Sequence, residues 1–263
     1  MRNYFLMGCF CLLLPACMGG EARQEEQAAD TLADTQWLQG VWLDDNTESP
    51  VFKIKGDSSY YASQINAPLK YDLKNDTLTI YGVETVHYPL ERCQEQALQF
   101  RTPVGDMVSL HKSDNDSAFV ALSVTGPEKK EVISKDLAVM YQGKRYRGYV
   151  YINPTSIKVV RPSLTEEGLT MDNVYYDNVI HICVYQGKQR LYAKDITRQM
   201  FSSVVPDDYL KMSILSDMDF IGVDAEGYHY LATLCIPDGA SCYNVELTID
   251  RDDQLSFSSA DVE

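Results

Sequence analysis

Between Val51 and Lys112 the chain alternates apolar and polar residues and breaks at short intervals on turn signals. The segments "VFKIK" (51–55), "SSYYAS" (58–63), "LKYDLK" (69–74) and "TLTIYG" (77–82) are separated by Gly56-Asp57, Ala67-Pro68 and Asn75-Asp76. "ETVHYPL", "ALQFRT" and "MVSLHK" continue the series, with "VGD" (104–106) turning the last pair. A period of two puts alternate side chains on opposite faces of a strand, so one face can be buried and the other wetted. Many short, evenly spaced strands joined by tight turns predict a closed or nearly closed antiparallel barrel. "ERCQEQALQF" carries helix formers as well, but strands suit its place in the meander.

The stretch Trp37-Leu38-Gln39-Gly40-Val41-Trp42 precedes this meander. Its Gly-x-Trp resembles the opening motif of lipocalin-like barrels, which implies a tryptophan packed across the barrel bottom and a glycine that allows close backbone approach. The predicted barrel covers residues 36–113, and "SDNDSAF" (113–119) reads as an interdomain turn. Residues 118–258 are again mostly strand: "AFVALSV", "LAVMYQG", "RYRGYVYIN", "SIKVVR", "NVIHICVYQG", "RLYAKDI", "YHYLATLCI" and "CYNVELTID". Tyr-Gln-Gly-Lys occurs at 141–144 and at 185–188, without matching flanks, and predicts two hairpin turns of similar chemistry. "PDDYLKMSILSDM" (206–218) is the best helix, with an early proline, acids in the first turn, and Leu210 and Ile214 four apart. The expected fold class is therefore mainly β: a small lipocalin-like antiparallel barrel followed by a β-sandwich-like domain with one short helix.

The N-terminus carries a different signal. Met1-Arg2-Asn3 is a short basic n-region, and the apolar run to Leu14 has the length of a secretory h-region, too short to cross a bilayer as a helix. Leu14-Pro15-Ala16-Cys17 resembles a bacterial lipobox. That resemblance implies a signal peptide over 1–16, cleavage before Cys17 and acylation of its thiol, with Cys17 as the lipid anchor. Acyl chains hold a protein on a membrane at about 0.8 kcal/mol per buried methylene. Residues 18–35 lack large apolar side chains and read as a tether reaching roughly 25 Å on average.

Charge and cysteine content exclude several functions. The formal net charge is −15, or −16 once Arg2 leaves with the leader, which argues against a nucleic-acid partner. Cys93, Cys183, Cys235 and Cys242 remain in the body, and an exported chain meets conditions in which disulfides persist. Cys235 and Cys242 flank "IPDGAS" between two alternating segments. They would share a face across a hairpin, as a disulfide or as two thiols. No Cys or His set has zinc spacing, and no H-E-x-x-H, Gly-x-Ser-x-Gly, dinucleotide or phosphate loop occurs. The spacing of "SDMDFIGVDAEGYHY" fails as an EF-hand, since Ile221 and Tyr228 fall where oxygen ligands are needed. Asp217, Asp219, Asp224 and Glu226 read instead as caps and turn residues, with a loop ion site as the alternative. His181 and Cys183 share a strand face, which suggests a buried thiol beside a hydrogen-bonded histidine. Tyr60, Tyr61, Tyr149, Tyr151, Tyr175, Tyr176, Tyr228 and Tyr230 are available to stack on sugar rings, although tyrosine is also a favoured strand residue.

The segment from Pro206 to Asp250, together with the lipobox and the "GVW" opening, resembles a family of uncharacterised exported lipoproteins from Bacteroidota that carry a domain of unknown function over nearly the whole mature chain. The resemblance implies location and fold, and it brings no catalytic residue, cofactor or metal. The expected protein is a lipid-anchored envelope lipoprotein on the outer membrane, facing the periplasm. Its expected role is non-enzymatic binding or assembly, with the site in the barrel or at the seam between domains. Its expected partners are the membrane, through the N-terminal lipid, and a small apolar or glycan ligand or an envelope protein. The alternative is a periplasmic hydrolase with a triad drawn from separate strands.

Overall fold

The computed structural model describes residues 35–62, 67–115, 119 and 131–259. Cys17, the leader, the tether and, apart from Phe119, the expected strand "AFVALSV" lie outside these residues. A short helix, α1 (Thr35–Leu38), leads into eight strands: β1 (Gly40–Asp44), β2 (Pro50–Lys55), β3 (Ser58–Tyr61), β4 (Leu69–Lys74), β5 (Thr77–Tyr81), β6 (Thr85–Cys93), β7 (Ala97–Arg101) and β8 (Met107–Lys112). Each pairs antiparallel with the next, and β8 pairs back onto β1, so the sheet closes as an up-and-down barrel. Asn75 and Asp76 both hold positive φ in the two-residue β4–β5 turn, a hairpin geometry that these short polar side chains tolerate. "ERCQEQALQF" forms the end of β6 and all but the last residue of β7.

Eight strands enclose a space that side chains can fill. Trp42, Phe52, Ile54, Tyr61, Leu78, Ile80, Tyr88, Leu98, Phe100 and Leu110 occupy it, each at most 2% exposed. Trp42 of the Gly-x-Trp motif packs in the barrel core, as expected. Trp42 donates its indole N–H to the Leu38 carbonyl at 2.8 Å. The Lys112 ammonium lies 5.1 Å from the Trp42 ring centroid and donates to the Trp37 carbonyl at 2.7 Å. Gly40 is required by its φ of 120° rather than by the expected close backbone approach, since a Cβ there would meet only the Lys112 side chain, at 3.4 Å.

The second body holds two four-stranded antiparallel sheets. The first runs β12 (Gln189–Ile196), β11 (Thr170–Gln186), β10 (Lys144–Leu164), β9 (Ile133–Tyr141). The second runs β13 (Ile214–Val223), β14 (Tyr228–Cys235), β15 (Cys242–Ile249), β16 (Leu255–Ser259). Their inner faces share one core, in which Val150, Ile152, Ile182 and Val184 meet Phe220, Tyr230, Leu234, Val245 and Leu247. Gly148 brings the sheets close, since a Cβ there would fall 2.1 Å from the Phe220 ring.

Two local expectations are corrected and a third is refined. "RYRGYVYIN" and "SIKVVR" are one strand, the 21-residue β10, which passes Pro154 through a bulge between Pro154 and Lys158. Pro154 lies beyond the last β9 pairing, at Ile152, so the missing N–H interrupts no ladder on that side. The expected helix over 206–218 ends early: α2 spans Asp207–Met212, and β13 starts at Ile214. Core burial outweighs helix propensity here, because Leu215 and Met218 are fully buried as strand residues. Asp177, 3% exposed, accepts the Leu215 N–H at 2.9 Å and faces Arg198 Nε at 2.9 Å. Arg198 in turn gathers the carbonyls of Leu210, Lys211 and Ser213, which closes the helix end. Both Tyr-Gln-Gly-Lys copies form two-residue hairpin turns, as expected, but in different register. Gln142 and Gly143 both hold positive φ in the first, whereas the second turns one residue later, at Gly187-Lys188, with positive φ at the glycine alone.

β10 and β11 are far longer than their neighbours, and their shared tip reaches the barrel. Leu169 is fully buried within the barrel's core cluster. Thr170 donates its N–H to the Tyr88 hydroxyl at 2.7 Å, and Val83 donates to Asp172 Oδ2 at 2.8 Å. Gly82 makes room for that carboxylate, since a Cβ there would sit 2.9 Å from Oδ2. Replacing Leu169 with Ala should cost about 2–5 kcal/mol. Both tryptophans, Trp37 and Trp42, belong to the barrel end. The urea midpoint read by tryptophan fluorescence should therefore fall, although the substitution lies in the other body. An unchanged midpoint would remove Leu169 from the barrel core.

Asp172 is 5% exposed, and its Oδ1 has no hydrogen-bond partner among the described residues. Burial pushes its carboxyl up from the ordinary value of 3.8; the Val83 N–H opposes this, and Glu84 adds to the rise. With the folded pKa above the unfolded one, the contribution to stability is fully present below the unfolded value and is lost as pH rises through the folded value. Asp172→Asn removes this dependence. The variant should therefore gain stability on the parent between acidic and neutral pH, read as urea midpoints across that range; a constant or shrinking difference refutes the assignment.

Candidate functional site

The residues singled out from sequence have separate fates. Cys235 and Cys242 face each other as a register pair in the β14–β15 hairpin and are bonded, with S–S 2.06 Å. Cys93 and Cys183 are buried and take no part in that disulfide. The four acids of 217–226 divide. Asp217 and Asp219 bind Lys135 at 2.6 and 2.9 Å, while Asp224 accepts the Glu226 and Gly227 N–H groups and faces His229. Among the described residues, no group of three or more His, Cys, Asp or Glu is arranged to hold a metal ion. His229 lies between two carboxylates, Nε2 2.9 Å from Asp224 and Nδ1 3.0 Å from Glu246. His87 contacts Thr79, and His111 lies between Asp45 and Glu48, which raise its pKa. Tyr61 and Tyr230 are core residues, and burial pushes the Tyr61 hydroxyl far up. Tyr175 bonds Asp238 at 2.5 Å, with its pKa pushed up to about 12 mainly by burial.

Tyr149, Tyr151, His181 and Cys183 instead come together, and Tyr185, which sequence reasoning did not single out, joins them. Arg145, Arg147, Tyr149 and Tyr151 alternate along one face of β10. The register sets Tyr149 opposite Cys183, Tyr151 opposite His181 and Arg147 opposite Tyr185. This is the face turned away from the shared core. It forms an open depression of about 640 Å³, lined only by residues of β10, β11 and the turn after β11, including Gly187 and Lys188.

The depression has an aromatic floor. Tyr149 and Tyr151 lie with centroids 6.2 Å apart and planes within 6°, so their rings are near parallel. Tyr185 meets Tyr149 edge-on at 5.7 Å, and His181 lies 6.2 Å from Tyr151. The Arg147 guanidinium sits 5.4 Å from the Tyr149 centroid and donates to Asp136 at 2.6 Å, which holds its pKa above the ordinary value. His181 contacts Asp195 on β12 at 2.6 Å. The Cys183 thiol is 5% exposed and pushed up by burial, an effect Arg190 partly offsets. A thiol held in its neutral form is a poor nucleophile. The site can stack on flat apolar faces and donate hydrogen bonds, and its cationic groups can receive an anion.

The expected locations for a site are furnished differently. Side chains pack the barrel interior. The seam between barrel and sheets holds a depression of about 440 Å³ lined by Asp44, Asp106, Glu166 and Glu167 among others. There Asp44 is already engaged in capping the N–H groups of Asn46 and Thr47, which lower its pKa. A smaller depression of about 230 Å³ at the end of the sheets is lined by Tyr141, Tyr228, Asp224 and Asp253.

No curated protein matches the chain. A family model described as "Domain of unknown function (DUF4738)" matches residues 112–257. The resemblance read from the sequence ran over nearly the whole mature chain; the matched span covers the two-sheet body and stops at the last barrel strand. The candidate depression falls wholly inside that span. With more than half of its length matched, the chain belongs to the DUF4738 family.

Proposed function

We propose that this protein is a lipid-anchored cell-envelope lipoprotein that binds glycans without acting on them, through the outer face of β10 and β11. The observation that carries the binding reading is the pair of near-parallel rings of Tyr149 and Tyr151, flanked by Tyr185, on a face turned away from the core. Aromatic faces stack on the C–H faces of sugars, and fixed strands preorganise them at little entropic cost. The anchoring rests on the lipobox at Cys17 and the tether that follows it, with the periplasmic side of the outer membrane as the proposed location.

A second reading, hydrolysis, draws on the His181–Asp195 contact, which has the form of an oriented base. The nearest nucleophile on that face, Cys183, is kept protonated by its burial, which favours binding over catalysis.

Detergent-phase partition of the full chain tests the anchor: the native protein should enter the detergent phase, and Cys17→Ala should move it to the aqueous phase. Unchanged partition would sink the lipoprotein reading. Affinity electrophoresis through immobilised polysaccharides tests the site. At about 0.5–1.5 kcal/mol per aromatic contact, the double variant Tyr149→Ala/Tyr151→Ala should lose about tenfold or more in retention while keeping its urea midpoint. Equal retention by a folded double variant excludes this face.

A further inference from the structure

The charge around the aromatic floor runs against the charge of the molecule. The chain has 38 acidic and 23 basic residues. Yet the turns joining β9 to β10 and β11 to β12 lie side by side, because Tyr146 pairs with Gln186 across β10 and β11. This brings Arg145, at the start of β10, close to Lys188 of the second turn and Arg190 of β12, with Arg147 one step further along the same face of β10. Tyr185 pairs with Arg147 on one side and with Arg190 on the other, so the cations border the aromatic floor. Arg145, Lys188 and Gly187 are exposed at the rim of the depression. Neither Arg145 nor Lys188 forms an ion pair among the described residues, whereas Lys135, Arg147 and Arg198 all do.

Cations gathered without counter-charges repel one another, and an anionic ligand relieves that repulsion. A guanidinium presents a planar fork that matches a carboxylate, and an ammonium adds a point charge. Stacking surface and cationic rim together fit a sugar ring that carries an acid. A nucleic acid also stacks and carries charge, but its one phosphate per about 1.7 Å of duplex axis sets a dense polyanion against a net charge of −15. A glycan whose charges are spaced by whole sugar rings meets far less repulsion.

Building on the glycan-binding reading, we infer that the ligand is an acidic glycan, its rings stacked on Tyr149, Tyr151 and Tyr185 and its carboxylates held by Arg145 and Lys188. The test uses polygalacturonate, alginate and hyaluronate, each beside a counterpart in which the carboxylates are reduced to alcohols, and a single-stranded oligonucleotide. Binding to the full chain is measured by affinity electrophoresis and calorimetry. At least one acidic glycan should bind about tenfold or more tighter than its reduced form and weaken as salt is added. Arg145→Gln/Lys188→Gln, two exposed positions that leave the core intact, should lose that preference while keeping any binding to reduced glycans. Tyr149→Ala/Tyr151→Ala should lose both. Equal binding of acidic and reduced forms overturns the inference and leaves the glycan reading standing. Binding of no glycan in either form removes both. Preference for the oligonucleotide also overturns it.

Discussion

The backbone ladder between β10 and β11 is the constraint on which the rest of the structure depends. It runs from Tyr146 and Gln186 at one end to Leu164 and Thr170 at the other, with a single irregularity between Pro154 and Lys158. One part of the hairpin forms the middle of a sheet, flanked by β9 and β12. The remainder projects beyond those neighbours and places Leu169 among barrel residues. A two-stranded ribbon has little stability alone. Here one end is held by the sandwich core and the other by the Tyr88 hydroxyl, the Val83 N–H and the barrel interior.

The same ladder produces the candidate site. Strand geometry sends alternate side chains to opposite faces, so β10 commits Val150 and Ile152 to the core and Tyr149 and Tyr151 to the outside. Gly148 and Phe220 fix the inner side, and the half-buried rings rest on a support whose inner face packs into the core. Asp177 and Arg198 act similarly at the sheet's other margin. They form a buried ion pair from which Asp177 accepts the Leu215 N–H and Arg198 Nη1 donates to carbonyls at the end of α2 and at Ser213. Losing one partner of such a pair leaves an uncompensated charge in the interior, so the pair specifies where the helix stops and the strand begins.

Legibility in the sequence followed the range of the interactions. The barrel meander could be read strand by strand because its contacts lie between sequence neighbours and its turns are short. The Gly-x-Trp motif is legible for the same reason, although Lys112, which covers Trp42, comes from the last barrel strand, 70 residues on in sequence but paired directly with Trp42. The helix over 206–218 was overextended because Leu210 and Ile214 also suit helical spacing, while the Asp177 contact that redirects Leu215 comes from a strand distant in sequence. Of the site, the sequence shows Tyr149 and Tyr151 as stacking candidates and His181 and Cys183 on one strand face, but not that these two pairs lie opposite each other. Arg145 and Tyr185 were missed, although the alternation Arg-x-Arg-x-Tyr-x-Tyr in β10 and His-x-Cys-x-Tyr in β11 carries the signal once the two are paired.

The amino-acid sequence alone determined the mainly β class, the positions of most strands and turns, and which side chains share a strand face. These follow from the period of two and from residues suited to positive φ, both local properties. Tertiary structure decided which faces lie against each other, that the β10–β11 tip enters the barrel, that the barrel is filled, and that Arg145 of one strand and Lys188 of a distant turn meet at one rim. Alternation says that one face of a strand is buried, but not beneath what. Register between distant strands is set by the joint packing of many side chains and backbone pairs, and no single segment contains that information.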